Sequence, residues 1–122
     1  MVILGIDPGL ATIGFGVLDK DARGGVKVLD YGVILTPKEE RLPTRLAILE
    51  QSLKKLIDKY KPDIFVCGHS HILKVVRDPK RDMLVINPGA AGIQGFHIVR
   101  TALRFKLEAG KIHSMEVFEL DR

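Results

Sequence analysis

Residues 60–71 read Tyr60-Lys61-Pro62-Asp63-Ile64-Phe65-Val66-Cys67-Gly68-His69-Ser70-His71. The residue before a proline disfavours the α region, so we expect a helix to end at about Tyr60, before Lys61-Pro62-Asp63. The apolar run from Ile64 to Cys67 follows at once and is typical of a buried strand. Because this strand follows a helix directly, we expect it to lie parallel to an earlier strand through a right-handed crossover. Two histidines then stand at its end.

The helix before this stretch is predicted from the spacing of its apolar residues. Steps of three, four and one residue place on one face Leu46, Leu49, Leu53, Leu56, Ile57 and Tyr60. Pro43 would interrupt a helix that began earlier, so we expect the helix to run from about Pro43 to Tyr60.

The rest of the chain has the pattern of strands and short turns. Three N-terminal strands with short links predict an antiparallel meander: Val2–Ile6, Ile13–Leu18 and Val26–Leu35. Beyond the histidines we expect a hairpin around Asp78-Pro79 and two closing strands: Ile72–Arg77, Met83–Asn87, Arg100–Glu108 and Ile112–Leu120. The predicted fold class is mixed α/β, with about eight strands and one long helix. The C-terminal strands either extend the first sheet or pack across it, and the strand order across Asp63 stays open.

The composition predicts a single folded domain over residues 1–122, which we divide at residue 63 into two halves. The chain is 46% hydrophobic and 28% charged, with a net charge of +4, which is ordinary for a soluble globular protein. We expect no signal peptide and no membrane span, and hence a cytoplasmic protein. The lone Cys67 excludes an internal disulfide and is expected in the core.

Residues 1 to about 63 resemble the N-terminal half of the RuvC-type Holliday junction resolvases, which have a ribonuclease-H-like fold. The resemblance rests on three segments: Ile3-Leu4-Gly5-Ile6-Asp7-Pro8-Gly9-Leu10-Ala11-Thr12-Ile13-Gly14-Phe15-Gly16-Val17, Tyr31-Gly32-Val33-Ile34, and Arg45-Leu46 with Tyr60-Lys61-Pro62-Asp63. It implies that Asp7, which ends the first strand, binds a divalent metal for phosphodiester hydrolysis. The alternative for Asp7 is a turn-initiating Asp-Pro-Gly.

The same resemblance implies a second acidic residue at the end of the strand after the helix. That position falls within Val66-Cys67-Gly68, and none of these residues is acidic. A lone Asp7 does not assemble a two-metal site, so we do not expect junction cleavage.

Residues from about 63 to 122 resemble the C-terminal part of the small calcineurin-like metallophosphoesterases. The matching segments are Cys67-Gly68-His69-Ser70-His71 and Val85-Ile86-Asn87-Pro88-Gly89-Ala90-Ala91-Gly92. This resemblance implies that His69 and His71 are metal ligands, with Asp7 as a third, and Asn87 is a candidate substrate-binding residue. Zn, Mn, Ni or Mg would be the divalent metal, although none is required by the fold. We expect His97 and His113 to be surface residues.

Three hypotheses follow for function. The first is an engineered chimera of two families with no native activity, because each family's ligand set is incomplete. The second is a weak metal-dependent phosphoesterase that uses His69, His71 and Asp7. The third is a branched-DNA-binding remnant of a resolvase. The basic residues are scattered, so we expect no nucleic-acid partner, while the edge strands leave pairing between chains open.

Overall fold

The computed structural model describes residues 1–9 and 11–121, and these residues form eight strands and one helix. Leu10, in the first quoted motif, and Arg122, at the end of the predicted domain, lie outside the described residues. The elements are β1 (Val2–Asp7), β2 (Thr12–Lys20), β3 (Val26–Leu35), α1 (Leu42–Tyr60), β4 (Ile64–Cys67), β5 (Leu73–Asp78), β6 (Met83–Pro88), β7 (Val99–Glu108) and β8 (Lys111–Asp121). The mixed α/β class is confirmed. Among the described helices, none is long and apolar enough to cross a membrane.

Six of the strands form one mixed sheet, in the order β3-β2-β1-β4-β6-β5. The N-terminal meander is antiparallel, and β4 lies parallel to β1, as the crossover predicts. β6 continues the sheet parallel to β4, and β5 pairs with β6 in a hairpin. β5 and β6 therefore extend the first sheet, as one alternative predicts, while β7 and β8 form a separate antiparallel pair.

Asp63 connects the two halves of the sequence within this sheet. Its backbone N–H donates to the Val2 carbonyl at 2.8 Å, and its carboxylate Oδ2 accepts from the Val2 N–H at 2.8 Å. Its carbonyl accepts from the Leu84 N–H at 2.9 Å. One residue thus bonds both to the strand before it in the sheet and to the strand after it.

Helix α1 begins one residue before the predicted start and ends where predicted. Lys61 follows in a left-handed conformation, with φ 46°, and its N–H donates to the Ile57 carbonyl at 2.8 Å. Leu49 is buried, but Leu46 is 51% exposed, so the prediction that Leu46 belongs to the inward face is wrong. Leu46 lies in the second turn, so the buried face starts one turn later than its spacing indicates.

The core lies on both faces of the sheet. Leu4 and Val17 face each other across β1 and β2 and are 0% exposed. Tyr60 of α1 donates to Asp30 of β3, which pairs with Val17, so α1 covers this face. Ile64 and Ile86 are equally buried, and because side chains alternate along a strand they lie on the other face.

The second face is left open over β2 and β3. Tyr31, Val33 and Leu35 of β3 point to this side and are 79%, 59% and 65% exposed. Tyr31 and Val33 stand opposite Gly16 and Gly14 of β2. The apolar side chains of β3 therefore border a strip of sheet that has no side chains of its own.

Candidate functional site

The carboxyl ends of β1, β4 and β6 meet at one edge of the sheet, because these three strands are parallel neighbours. We call this the carboxyl edge, and it comprises Asp7, residues 67–71 and Asn87. Ligand sites in open sheets of this kind lie beyond the carboxyl ends of the strands. The described structure thus brings to one edge the residues that the sequence singled out from both halves.

Asp7 is exposed at the end of β1, where its pairing partner is Gly14. Beside it lies an open cleft of about 400 Å³ whose lining includes Gly5, Gly14 and Gly16. A methyl group added at Gly5 or Gly16 would meet no atom within 4 Å. The Asp7 carboxylate therefore stands next to a floor of bare backbone that an extended ligand can approach closely.

The end of β4 supplies no carboxylate to this edge. Cys67 pairs with Ile6 and is half-buried, and Gly68 follows it. Burial raises the pKa of the Cys67 thiol, and the nearby Lys74 ammonium only partly opposes that effect. The thiol is thus protonated at neutral pH and is not an activated nucleophile.

Asn87 is buried and holds the loop that carries the two predicted histidine ligands. Its amide Nδ2 donates to Ser70 Oγ at 2.9 Å and to the Gly68 carbonyl at 3.5 Å. Its Oδ1 accepts from the Gly89 N–H at 3.0 Å. Its amide therefore organises the carboxyl edge from within, while its assignment as a substrate-binding residue stays a prediction.

The two motif histidines both have left-handed backbone, with φ 80° at His69 and 63° at His71. His69 is exposed, whereas His71 is half-buried against His97, with ring centres 5.0 Å apart and ring planes at 85°. Within residues 1–9 and 11–121 no three His, Cys, Asp or Glu side chains are grouped to hold a metal ion. The assignment of Asp7, His69 and His71 as metal ligands stays a prediction.

His97 corrects the sequence analysis, because it is 8% exposed and not a surface residue. Its Nε2 lies 2.8 Å from the Gly92 carbonyl. The loop from Ala90 to Ile98 has no periodicity, so no spacing rule predicts which of its side chains turns inward. His113 is exposed as expected, and it contacts Glu108 at 3.1 Å.

Among the described residues of the carboxyl edge, Asp7 is the one carboxylate that could hold a hard divalent ion. Mg²⁺ is commonly held by one or two carboxylates together with water and substrate phosphate, and Asp7 offers one such exposed carboxylate. A two-metal centre needs further carboxylates, which β4 lacks. The one exposed carboxylate of Asp7 is therefore compatible with a single divalent ion.

Comparison with known proteins extends across both halves of the chain. A family model described as crossover junction endodeoxyribonuclease RuvC matches residues 3–104. A protein of that name from Petrotoga mobilis is 55% identical over 64 residues, covering 52% of this chain and 38% of the relative. One from Syntrophomonas wolfei is 38% identical over 99 residues, covering 76% of this chain and 56% of the relative. The chain thus spans about half the length of these curated relatives, or less.

A solved structure agrees with the fold. The structure of T. thermophilus RuvC in complex with Holliday junction substrate has a TM-score of 0.52 and 21% identity, covering 66% of this chain and 49% of that chain. At this identity the likeness concerns the fold alone.

These findings overturn two expectations. The interpretation as an engineered or designed chimera without native function is wrong, because the family match covers residues 3–104 and so includes residues on both sides of Asp63. The ladders of β4 with β1 and with β6 place both halves of the sequence in one sheet. The expectation of no nucleic-acid partner is contradicted as well, since the family model that matches residues 3–104 is described as a crossover junction endodeoxyribonuclease. The chain belongs to the RuvC family.

Proposed function

We propose that the chain binds branched DNA of the Holliday-junction type at its carboxyl edge. The observation that carries this proposal is the family match over residues 3–104 together with the exposed Asp7 beside a glycine-floored cleft. In the RuvC family the aspartate in this position binds a divalent metal. Here such an ion would be held by Asp7 and would supply positive charge next to a DNA phosphate.

The charges around the carboxyl edge support phosphate binding of moderate strength. Lys74 of β5 lies opposite Asn87 of β6, so its exposed ammonium stands beside the edge. The whole chain has a net charge of only +4, and its basic residues are scattered. Few phosphates are therefore neutralised, and the affinity should fall less steeply with salt than that of a strongly basic protein.

The donor set favours binding over cleavage. Hydrolysis by two metal ions uses carboxylates on both sides of the reacting phosphate, whereas β4 ends at Cys67 and is followed by Gly68. The proposed activity is accordingly recognition of a junction, with strand cleavage as a separate question.

Fluorescence anisotropy with a labelled immobile four-way junction and a linear duplex of the same sequence tests the proposal. We expect tighter binding of the junction, a fall in affinity with salt, and a gain in affinity on adding Mg²⁺. Asp7→Asn should abolish the Mg²⁺ gain, because it removes the carboxylate that would hold the ion.

Asp82→Asn is the matched control, because Asp82 is exposed on the β5–β6 turn, at the opposite edge of the sheet. This variant should keep the Mg²⁺ gain. Equal affinity of the wild-type chain for junction and duplex would contradict the proposal.

A second candidate, metal-dependent hydrolysis of phosphate esters, rests on the phosphoesterase-like C-terminal half. It is supported by the motif loop with His69 and His71, which Asn87 fixes at the same edge as Asp7. Turnover of a nitrophenyl phosphate diester with Mn²⁺ or Zn²⁺, lost in His69→Ala, would favour this candidate.

A further inference from the structure

We propose that the outward face of the β7–β8 hairpin binds duplex DNA in its major groove. β7 and β8 form a two-stranded antiparallel ribbon that is separate from the six-stranded sheet. The major groove of B-form DNA is wide enough to admit a ribbon of this kind. β8 begins at Lys111, so this surface lies partly outside residues 3–104, which the family model matches.

Alternation along β7 separates an inward face of the ribbon from an outward one. Thr101 is buried, and the next two alternate positions, Leu103 and Phe105, are half-buried, whereas the residues between them are exposed. Successive side chains on a strand point to opposite sides, so the exposed positions share one face. With their cross-strand partners, the outward residues are Arg100 and Leu120, Ala102 and Phe118, Arg104 and Glu116, Lys106 and His113, and Glu108 and Lys111.

The two carboxylates of the outward face both have a partner beside them. Arg104 Nη2 donates to both carboxylate oxygens of Glu116, at 3.1 and 3.0 Å. Glu108 lies at the tip of the hairpin, opposite Lys111, and its Oε2 is 3.1 Å from His113 Nε2. The positive charge of Arg104 is therefore largely cancelled by Glu116, while the charges at the tip offset each other.

Two further cations of this face, Arg100 and Lys106, have no carboxylate partner among residues 1–9 and 11–121. Lys106 is exposed, and Arg100 donates its Nε to the Asp121 carbonyl at 3.3 Å, which leaves other N–H groups of the guanidinium for a ligand. Six residues of strand span about 20 Å, a length over which one DNA strand presents roughly six phosphates. Both cations can therefore contact the phosphates of one groove.

The middle of the outward face carries apolar side chains as well as charge. Phe118 is 45% exposed and stands opposite Ala102, and the Arg104 guanidinium lies 5.1 Å from the centre of the Phe118 ring. In the major groove, arginine pairs with the guanine edge, and alanine or phenylalanine contacts the thymine methyl group. Exposed alanine and phenylalanine beside arginine thus fit the base edges of a major groove better than a phosphate backbone alone.

Fluorescence anisotropy with a labelled linear duplex, without Mg²⁺ and over a series of salt concentrations, tests the ribbon. Lys106→Ala should weaken duplex binding several-fold and reduce the slope of log affinity against log salt by about one, because one phosphate contact is lost. Glu116→Gln should have the opposite effect and tighten binding, because it removes a negative charge and releases Arg104 for DNA.

Lys55→Ala and Glu50→Gln are the matched controls, because both residues are exposed on α1 and these changes alter the net charge equally. Both should change duplex affinity less than their ribbon counterparts. Equal losses in Lys106→Ala and Lys55→Ala would overturn the proposal, because net charge alone would then explain the binding. A gain in Glu116→Gln no larger than that in Glu50→Gln would overturn it too.

This inference rests on the DNA binding proposed above, yet the two can fail separately. Equal affinity of the wild-type chain for junction and duplex, with a duplex affinity that still depends on Lys106, would contradict only the junction proposal. A junction preference with a Mg²⁺ gain, and duplex binding that Lys106→Ala leaves unchanged, would contradict only the ribbon.

Discussion

At the scale of single residues, Asp63 has more structural consequence than its exposed position suggests. It makes two backbone hydrogen bonds and one side-chain hydrogen bond, and these reach β1 on one side and β6 on the other. The sequence marks the residue as part of a helix-ending Lys-Pro-Asp and of a resolvase-like segment, but not as a hydrogen-bonding residue of the sheet. Its carboxylate accepts from the Val2 N–H and so links the residue before β4 to the first residue of β1.

Asp63→Ala should lower the free energy of unfolding by about 1 kcal/mol, because the Val2 N–H loses its carboxylate acceptor. Urea denaturation followed by circular dichroism measures the change. Asp63→Asn keeps an acceptor oxygen and should stay within a few tenths of a kcal/mol of wild type. Equal losses in both variants would show that the acceptor is not the cause.

At the scale of elements, the end of α1 is attached to the sheet by one short polar contact. Tyr60, the last helical residue, donates its hydroxyl to Asp30 Oδ2 at 2.6 Å. Asp30 lies on β3, the edge strand furthest from the β5–β6 hairpin. The contact therefore holds the helix across the face that Leu4 and Val17 fill.

Tyr60→Phe should lower the free energy of unfolding by about 1–2 kcal/mol, because it removes a hydrogen bond to a carboxylate and keeps the ring. Thermal unfolding followed by far-ultraviolet circular dichroism measures the loss. The matched control is Tyr31→Phe, whose ring is 79% exposed and which should leave the midpoint unchanged. A Tyr60→Phe midpoint equal to wild type would contradict a role for this contact.

Most elements could be predicted from the sequence, because their signals are local. The start of α1 follows from Pro43 and its end from Pro62, and the β5–β6 turn follows from Asp78-Pro79. The separation of β7 and β8 from the main sheet could not be predicted, since the alternation along a strand indicates which face is buried but not which strand is its partner.

The candidate site was only partly predictable for a similar reason. The positions of Asp7 and residues 67–71 at one edge follow from the parallel crossover. The burial of His97 and its contact with His71 depend on an irregular loop around Gly95, which carries no periodic signal.

At the scale of the whole molecule, the six-stranded sheet makes the two halves of the sequence one structural unit. Leu4 in the first half and Ile86 in the second are 0% and 2% exposed and lie on opposite faces of the same sheet. β4 pairs on one side with β1 and on the other with β6. Loss of either half removes a hydrogen-bonded neighbour from β4.

Leu4→Ala and Ile86→Ala should each lower the free energy of unfolding by about 2–5 kcal/mol, through lost burial and the cavity left behind. Because the sheet is shared, both should shift a single transition that circular dichroism and tyrosine fluorescence report at the same denaturant concentration. Val28→Ala is the control, since Val28 is 58% exposed. Two separate transitions would mean that the halves fold independently.

The glycines beside Asp7, Gly5 and Gly16, also affect the folding stability of the sheet. A residue such as alanine at Gly5 or Gly16 would clash with nothing, and glycine within a strand is less stable than alanine by roughly 0.5–1 kcal/mol per position. Internal packing alone thus gives no reason to keep these two glycines. The fold therefore accepts a small loss of folding stability at these positions, on the part of the sheet that stays open to a ligand.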